Sequence, residues 1–234
     1  MKTIMKTATI IISMILIAML TACGTNADSK PVVSKDVNDV TNVMSKLNEA
    51  ETITVNKKIM TYNDQWTVKA DGSEIAHIEG KVLPVWGDTY VMYSNKDNLI
   101  ASEAENKQWA GHGATIYDYN NEQTGHIKDE LFSWGYKFHV IDNDGHDVAI
   151  TESKPFNLTL TFDIKDNHDN IMYSVKKSMF SWGSELTITK KTSDTGNVSG
   201  LDAIWLTTII NEINENDNSK ASRKTSTSSA NSVA

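Results

Sequence analysis

Apolar and polar residues alternate in short runs through most of the chain, as in Trp66-Thr67-Val68, Tyr90-Val91-Met92, Phe138-His139-Val140 and Leu158-Thr159-Leu160-Thr161-Phe162. Alternation with a period of two turns one face of a strand to a core and the other to water. Turn signals separate the runs: Asp71-Gly72, Asn95-Lys96-Asp97-Asn98, Asn120-Asn121, Asp142-Asn143-Asp144-Gly145 and Asp166-Asn167-His168-Asp169-Asn170. Such Asp, Asn and Gly residues tolerate the positive φ that tight hairpins require. The runs number about a dozen at the 8–12-residue spacing of a sandwich or barrel, so the pattern predicts a mainly β protein.

An internal repeat sharpens that prediction. Trp86-Gly87, Trp134-Gly135 and Trp182-Gly183 recur 48 residues apart, the last two inside near-copies, Leu131-Phe132-Ser133-Trp134-Gly135 and Met179-Phe180-Ser181-Trp182-Gly183. A fixed period marks a repeated supersecondary unit, here strand, Trp-Gly corner, strand and Asp/Asn hairpin. A Trp before Gly at a strand corner fills the end of a core; the alternative is a ligand-stacking set.

Two segments follow a helical period instead. Val37, Val40, Val43, Met44 and Leu47 predict a short amphipathic helix within 36–52. Leu201, Ile204, Trp205, Leu206, Ile209, Ile210 and Ile213 predict a second helix that is apolar nearly all round, opened by a capping-box variant at Ser199 and Asp202. A helix without a polar face is buried. Some twelve strands and one such helix together predict a closed barrel around a central C-terminal hydrophobic helix, spanning 53–214.

The two ends differ from this body. Lys2 and Lys6 precede an apolar run from Ala8 to Leu20, which is too short to span a bilayer and reads as a secretory leader over 1–22. It ends in Leu20-Thr21-Ala22-Cys23, which resembles the lipobox of bacterial lipoproteins. The small Ala22 suits the cut and the Cys23 thiol is the nucleophile for acylation. Residues 23–35 are small and polar, as in a tether, and 215–234 have almost nothing to bury and read as a disordered Ser/Thr-rich tail. The expectation is an acyl anchor at Cys23 holding the barrel on the extracytoplasmic face of the cell membrane. Gly24, rather than an acidic residue, follows Cys23, which favours a Gram-positive source.

Charge and composition narrow the partners. Among 234 residues there are 22 Lys and Arg against 30 Asp and Glu, a net charge of −8, which argues against nucleic acid. The single cysteine excludes an intramolecular disulfide and a Cys-rich zinc site. An acidic body is also repelled by anionic headgroups, so acyl chains rather than charge would hold it at the membrane.

The strand unit [Ile/Val]-x-x-x-h-Phe-Ser-Trp-Gly-x-x-h-x-h, where h is hydrophobic, the Asp-Gly hairpins and the closing Asp202-Ala203-Ile204-Trp205-Leu206 resemble the LURP-one-related proteins of the tubby C-terminal-like superfamily, which includes phospholipid scramblases. The resemblance covers about residues 53 to 214 and implies a twelve-stranded barrel around a central helix. It also implies lipid headgroup or calcium binding in some members. Here the lysine doublets Lys57-Lys58, Lys176-Lys177 and Lys190-Lys191 are the basic residues available for a headgroup, and Arg223 lies in the tail.

Catalytic motifs are absent from the sequence: no Gly-x-Ser-x-Gly elbow, no His-Glu-x-x-His and no phosphate-binding glycine loop. His77, His112, His126, His139, His146 and His168 form no helical i, i+4 pair, and His139 should face outward between Phe138 and Val140. Asp142 to Asp147 carries a flavour of a calcium loop but lacks the twelve-residue frame, so it reads first as a hairpin turn. These readings predict no cofactor, metal or catalytic residue. They favour a lipid-anchored, non-enzymatic binding or scaffold module with an envelope protein or lipid as partner. The alternatives are a phospholipid or acyl-chain handling protein, and a hydrolase with an unrecognised site.

Overall fold

The computed structural model describes residues 36–58, 65–83, 87–105, 113–130, 136–153, 160–178 and 184–230. Twelve strands lie among them. The first six are β1 (Thr52–Lys57), β2 (Gln65–Ala70), β3 (Ser73–Leu83), β4 (Gly87–Ser94), β5 (Leu99–Glu105) and β6 (Gly113–Asp118). The others are β7 (Gln123–Asp129), β8 (Tyr136–Asp142), β9 (Asp147–Ser153), β10 (Thr161–Lys165), β11 (Ile171–Lys177) and β12 (Glu185–Lys190). Each pairs antiparallel with its sequence neighbours, and β12 returns to β1, so the sheet closes on itself. Closure leaves no edge strand in search of a partner.

Period-two patterning decides what points inward. Ile53 and Val55, Trp66 and Val68, Phe138 and Val140, and Leu186 and Ile188 are all buried, while the residues between them are mostly half-buried. The space they enclose is filled by a helix. Helix α2 (Gly200–Ala230) follows α1 (Val37–Glu49) in chain order, and its residues 203 to 211 are buried without a break. Two threonines in that run bond back along the helix, Thr207 Oγ1 to the Ala203 carbonyl at 2.6 Å and Thr208 Oγ1 to the Ile204 carbonyl at 2.9 Å. Their hydroxyls therefore enter an apolar core already satisfied. The helix also runs on to Ala230, into the stretch whose composition predicts a disordered tail. Extending an existing helix costs far less than nucleating one, and the buried first half supplies the nucleus.

The helix begins as its sequence predicts. Ser199 Oγ accepts from the Asp202 amide, and Asp202 Oδ2 accepts from the Ser199 amide at 2.9 Å, the reciprocal capping box. Helix α1 completes the cap: Asn48 Oδ1 accepts from the Gly200 amide at 2.9 Å. Only glycine fits at 200, because a Cβ would lie 2.5 Å from the Leu47 carbonyl oxygen. Helix α1 is itself capped by Asp36, whose side chain accepts from the Asn38 and Asp39 amides. It buries Val40, Val43 and Leu47 and leaves Val37 half exposed.

Four hairpins at this end of the barrel are built alike. Ser94, Asp118, Asp142 and Asp166, each 24 residues after the last, accept through a side-chain oxygen from the amides two and four positions on. Three residues after each comes a positive φ: Asp97 (60°), Asn121 (62°), Gly145 (85°) and Asp169 (67°). Each loop interrupts its ladder at an equivalent place, after Met92, Ile116, Val140 and Ile164. This is the three-residue hairpin with a left-handed bulge position. The repeating unit is therefore one strand pair of 24 residues, half the 48-residue period marked by the Trp-Gly pairs. The corners Trp86, Trp134-Gly135 and Trp182-Gly183 lie outside the described residues, as do Leu158, Thr159 and His112.

Candidate functional site

At the hairpin end, α1, the loops after β6 and β8 and the start of α2 surround a half-open cleft of about 530 Å³. Its apolar wall includes Val40 and Met44 of α1, Ile100 and Ile116 of the barrel, Val148 of β9 and Leu201 of α2. The absence of a side chain at Gly125 keeps β7 and β8 close beside it, since a Cβ there would lie 2.6 Å from the Ile141 carbonyl oxygen.

Three carboxylates line the same cleft: Asp118, Asp142 and Asp202. Each holds backbone in place. Asp118 Oδ1 accepts from the Asn120 and Glu122 amides, and Asp142 Oδ1 from those of Asp144 and His146. The bond from the His146 amide, set against partial desolvation, holds the Asp142 carboxyl below its ordinary range. Burial pushes the Asp202 carboxyl up, against the hydrogen bonds it accepts from Ser199. The described lining residues include no Lys, Arg or His.

Helix α1 is held over this end by a further carboxylate, Asp39. Asp39 accepts from Asn98 Nδ2 at 2.9 Å and pairs with Lys96 Nζ at 3.0 Å. Hydrogen bonds from Ser94 and Asn98, with Lys96 adding its charge, bring the Asp39 pKa down to about 2 despite its burial.

The lysine doublets do not form a shared basic patch. Lys57 and Lys177 stand at strand ends in the inward register and turn to α2. Lys57 Nζ lies 3.0 Å from Glu212 and 3.2 Å from Glu215, and 5.2 Å above the Trp66 ring. Lys177 Nζ bonds Glu215 and Asn211, both at 2.9 Å. Burial pushes the Glu215 carboxyl up, but the Lys177 bond and the charges of both lysines outweigh it, so its pKa falls. Lys190 Nζ donates to the Asn48 carbonyl at 2.7 Å. One lysine of each doublet thus secures a helix, while Lys58, Lys176 and Lys191 remain exposed.

The histidines are dispersed. His139 faces outward between buried Phe138 and Val140, 3.2 Å from Asp147 and 3.4 Å from Glu130. His77 stacks on Tyr93. Asp142, Asp144 and His146 bring ligand atoms within 4.8 Å of one another on the third repeated hairpin. Asp142 has a turn-forming role there that Asp118 and Asp166 repeat, and the hairpin geometry accounts for it without an ion. Sequence reasoning did not anticipate two buried carboxylates, Asp39 of α1 and Glu103 of β5; Glu103, at 0% exposure, stands in register with Tyr90 and Ile116. Alternation within β5 was the available signal. Ala22 and Cys23, the expected cleavage and acylation points, lie outside the described residues.

No family model matches the chain, and no curated protein matches it. A solved structure of a protein from Arabidopsis thaliana is similar with a TM-score of 0.47 and 11% identity, covering 74% of this chain and 98% of that one. A likeness this distant says nothing of what the chain does. Among the described residues no helix is long and apolar enough to cross a membrane.

Proposed function

We propose that this chain is an extracytoplasmic, lipid-anchored binding module that holds a small ligand in the cleft beneath α1. The observation that carries the reading is the cleft itself. It is of small-molecule size, largely apolar, half open, and framed by helix and strand residues rather than by loops alone. The anchor at Cys23 rests on the lipobox-like Leu20-Thr21-Ala22-Cys23.

The acyl-chain alternative has less support. Helix α2 occupies the barrel axis, and two of the lysines that a headgroup would need are bound to Glu212 and Glu215. The hydrolase alternative also has less support: the carboxylates of the cleft already serve as turn and helix caps, and the described lining places no histidine beside a hydroxyl.

Two measurements test the proposal. Labelled palmitate should enter the wild-type chain and not Cys23→Ala; labelling of both would overturn the anchor. Native mass spectrometry of protein taken from its own envelope should show a small bound species that Met44→Trp, which fills the cleft, excludes. An identical bound species in wild type and Met44→Trp would overturn the cleft as the site.

A further inference from the structure

The lining of the cleft is chemically one-sided. Its charged members among the described residues are Asp118, Asp142 and Asp202, all acidic, against a wall of aliphatic side chains and Met44. We infer that the cleft takes a hydrophobic monocation, an ammonium head carried on an apolar body. This inference rests on the reading of the cleft as a ligand site and specifies its chemistry.

Three features favour that class over an anion or a neutral chain. First, the hydrogen bonds to Asp118 fall on Oδ1 alone and those to Asp202 on Oδ2 alone. The second oxygen of each carboxylate is therefore available to a cation without dismantling the hairpin or the helix cap. In Asp142 the second oxygen lies 3.5 Å from His146 Nδ1. Second, Tyr117 and Tyr119 line the cleft next to Asp118, and aromatic faces attract ammonium groups. Third, the Asp202 carboxyl is already disfavoured as an anion by burial, a condition that a bound cation relieves. A fatty carboxylate or phosphate head would meet the Asp118 and Asp142 carboxylates instead, in a chain of net charge −8. The apolar body has its own complement, because Val40, Ile100, Ile116 and Leu201 present aliphatic surface from four different elements. Met44 adds an adaptable side chain at the α1 wall.

The test compares three probes of equal chain length, octyltrimethylammonium, octanol and octanoate, by titration calorimetry on the purified chain at low salt. The ammonium probe should bind one to one, at least about tenfold more tightly than either of the others, and weaken as salt rises. Asp118→Asn and Asp202→Asn each keep a carbonyl oxygen for the backbone bonds, so neither should melt below wild type. Each should weaken the ammonium probe several-fold and leave octanol unchanged. Met44→Trp, or Val148→Trp if the first fails to fold, should abolish binding of all probes. Equal affinity for the three probes, all lost on filling the cleft, would overturn the cation inference and leave the ligand-cleft reading standing. Ammonium binding that survives both tryptophan substitutions would place the site elsewhere and overturn both. Failure of the ammonium probe to bind by about 1 mM would overturn the inference.

Discussion

Lys57 Nζ sits 3.0 Å from the Glu212 carboxylate and ties the first barrel strand to the central helix across 155 residues of sequence. Glu215 receives Lys57 and Lys177 together, so the helix is gripped from β1 and β11 at the end opposite the cleft. Glu212 keeps only 12% of its side chain exposed, which makes removal of its cation costly. Lys57→Met should lower stability by about 1–3 kcal/mol in denaturant unfolding. The double substitution Lys57→Met with Glu212→Gln should lose less than the sum of the two singles, because the pair disappears together. Strict additivity would show that the contact contributes nothing.

Ile209 tests the occupant of the barrel. It is 2% exposed on the run of α2 that fills the interior. Ile209→Asp strands a carboxylate where nothing can hydrate it and should leave the protein unfolded or insoluble. Ile209→Ala should fold and lose about 2–5 kcal/mol. Thr207→Val removes a hydroxyl that bonds only within the helix and should change stability by less than about 1 kcal/mol. A soluble Ile209→Asp protein with the wild-type melting temperature would show that α2 is not the core.

Asp39 predicts a pH dependence of definite sign. Its pKa is about 2 in the folded chain against 3.8 ordinarily, so it binds its proton more weakly when folded. The stabilisation it supplies is complete above the unfolded value and fades as pH falls from about 4 to about 2. Asp39→Asn should therefore be less stable than wild type by on the order of 1–2 kcal/mol at neutral pH. The two should converge near pH 2, as thermal melts across that range will read. A constant difference down to pH 2 would mean that the Asp39 charge is not what binds Ser94, Asn98 and Lys96.

Much of this architecture was legible in local sequence, and the remainder depends on closure. Alternation located strands, Asp- and Asn-rich turns located the positive-φ residues, and Ser199 with Asp202 located the start of the central helix. The repeat emerged at twice its true length because the conspicuous Trp-Gly pairs mark every second unit, while the smaller Ser94, Asp118, Asp142 and Asp166 mark each one. Lys57 and Lys177 counted among the basic residues available for a headgroup because a doublet carries no sign of which lysine sits in the inward register. The cleft had no local signature at all: Met44, Asp118 and Leu201 come together only when the sheet has closed and α1 has docked on the start of α2.

The repeated hairpins allow the 24-residue unit to be tested directly. Asn121 and Asp169 occupy equivalent left-handed positions at φ 62° and 67°, where Gly145 stands in the third loop at 85°. A β-branched side chain there is strained against its own backbone, whereas glycine is not. Asn121→Val and Asp169→Val should each lower stability by about 1–2 kcal/mol. Asn121→Gly should stay within about 0.5 kcal/mol of wild type, since relief of strain is offset by greater freedom in the unfolded chain. Gly145→Val should resemble the other two valine variants, although a Cβ at 145 meets nothing within 4 Å and the cost must come from the backbone alone. Thermal melts of the four variants measure this, and valine tolerated at two of the three positions would show that the loops do not share one geometry.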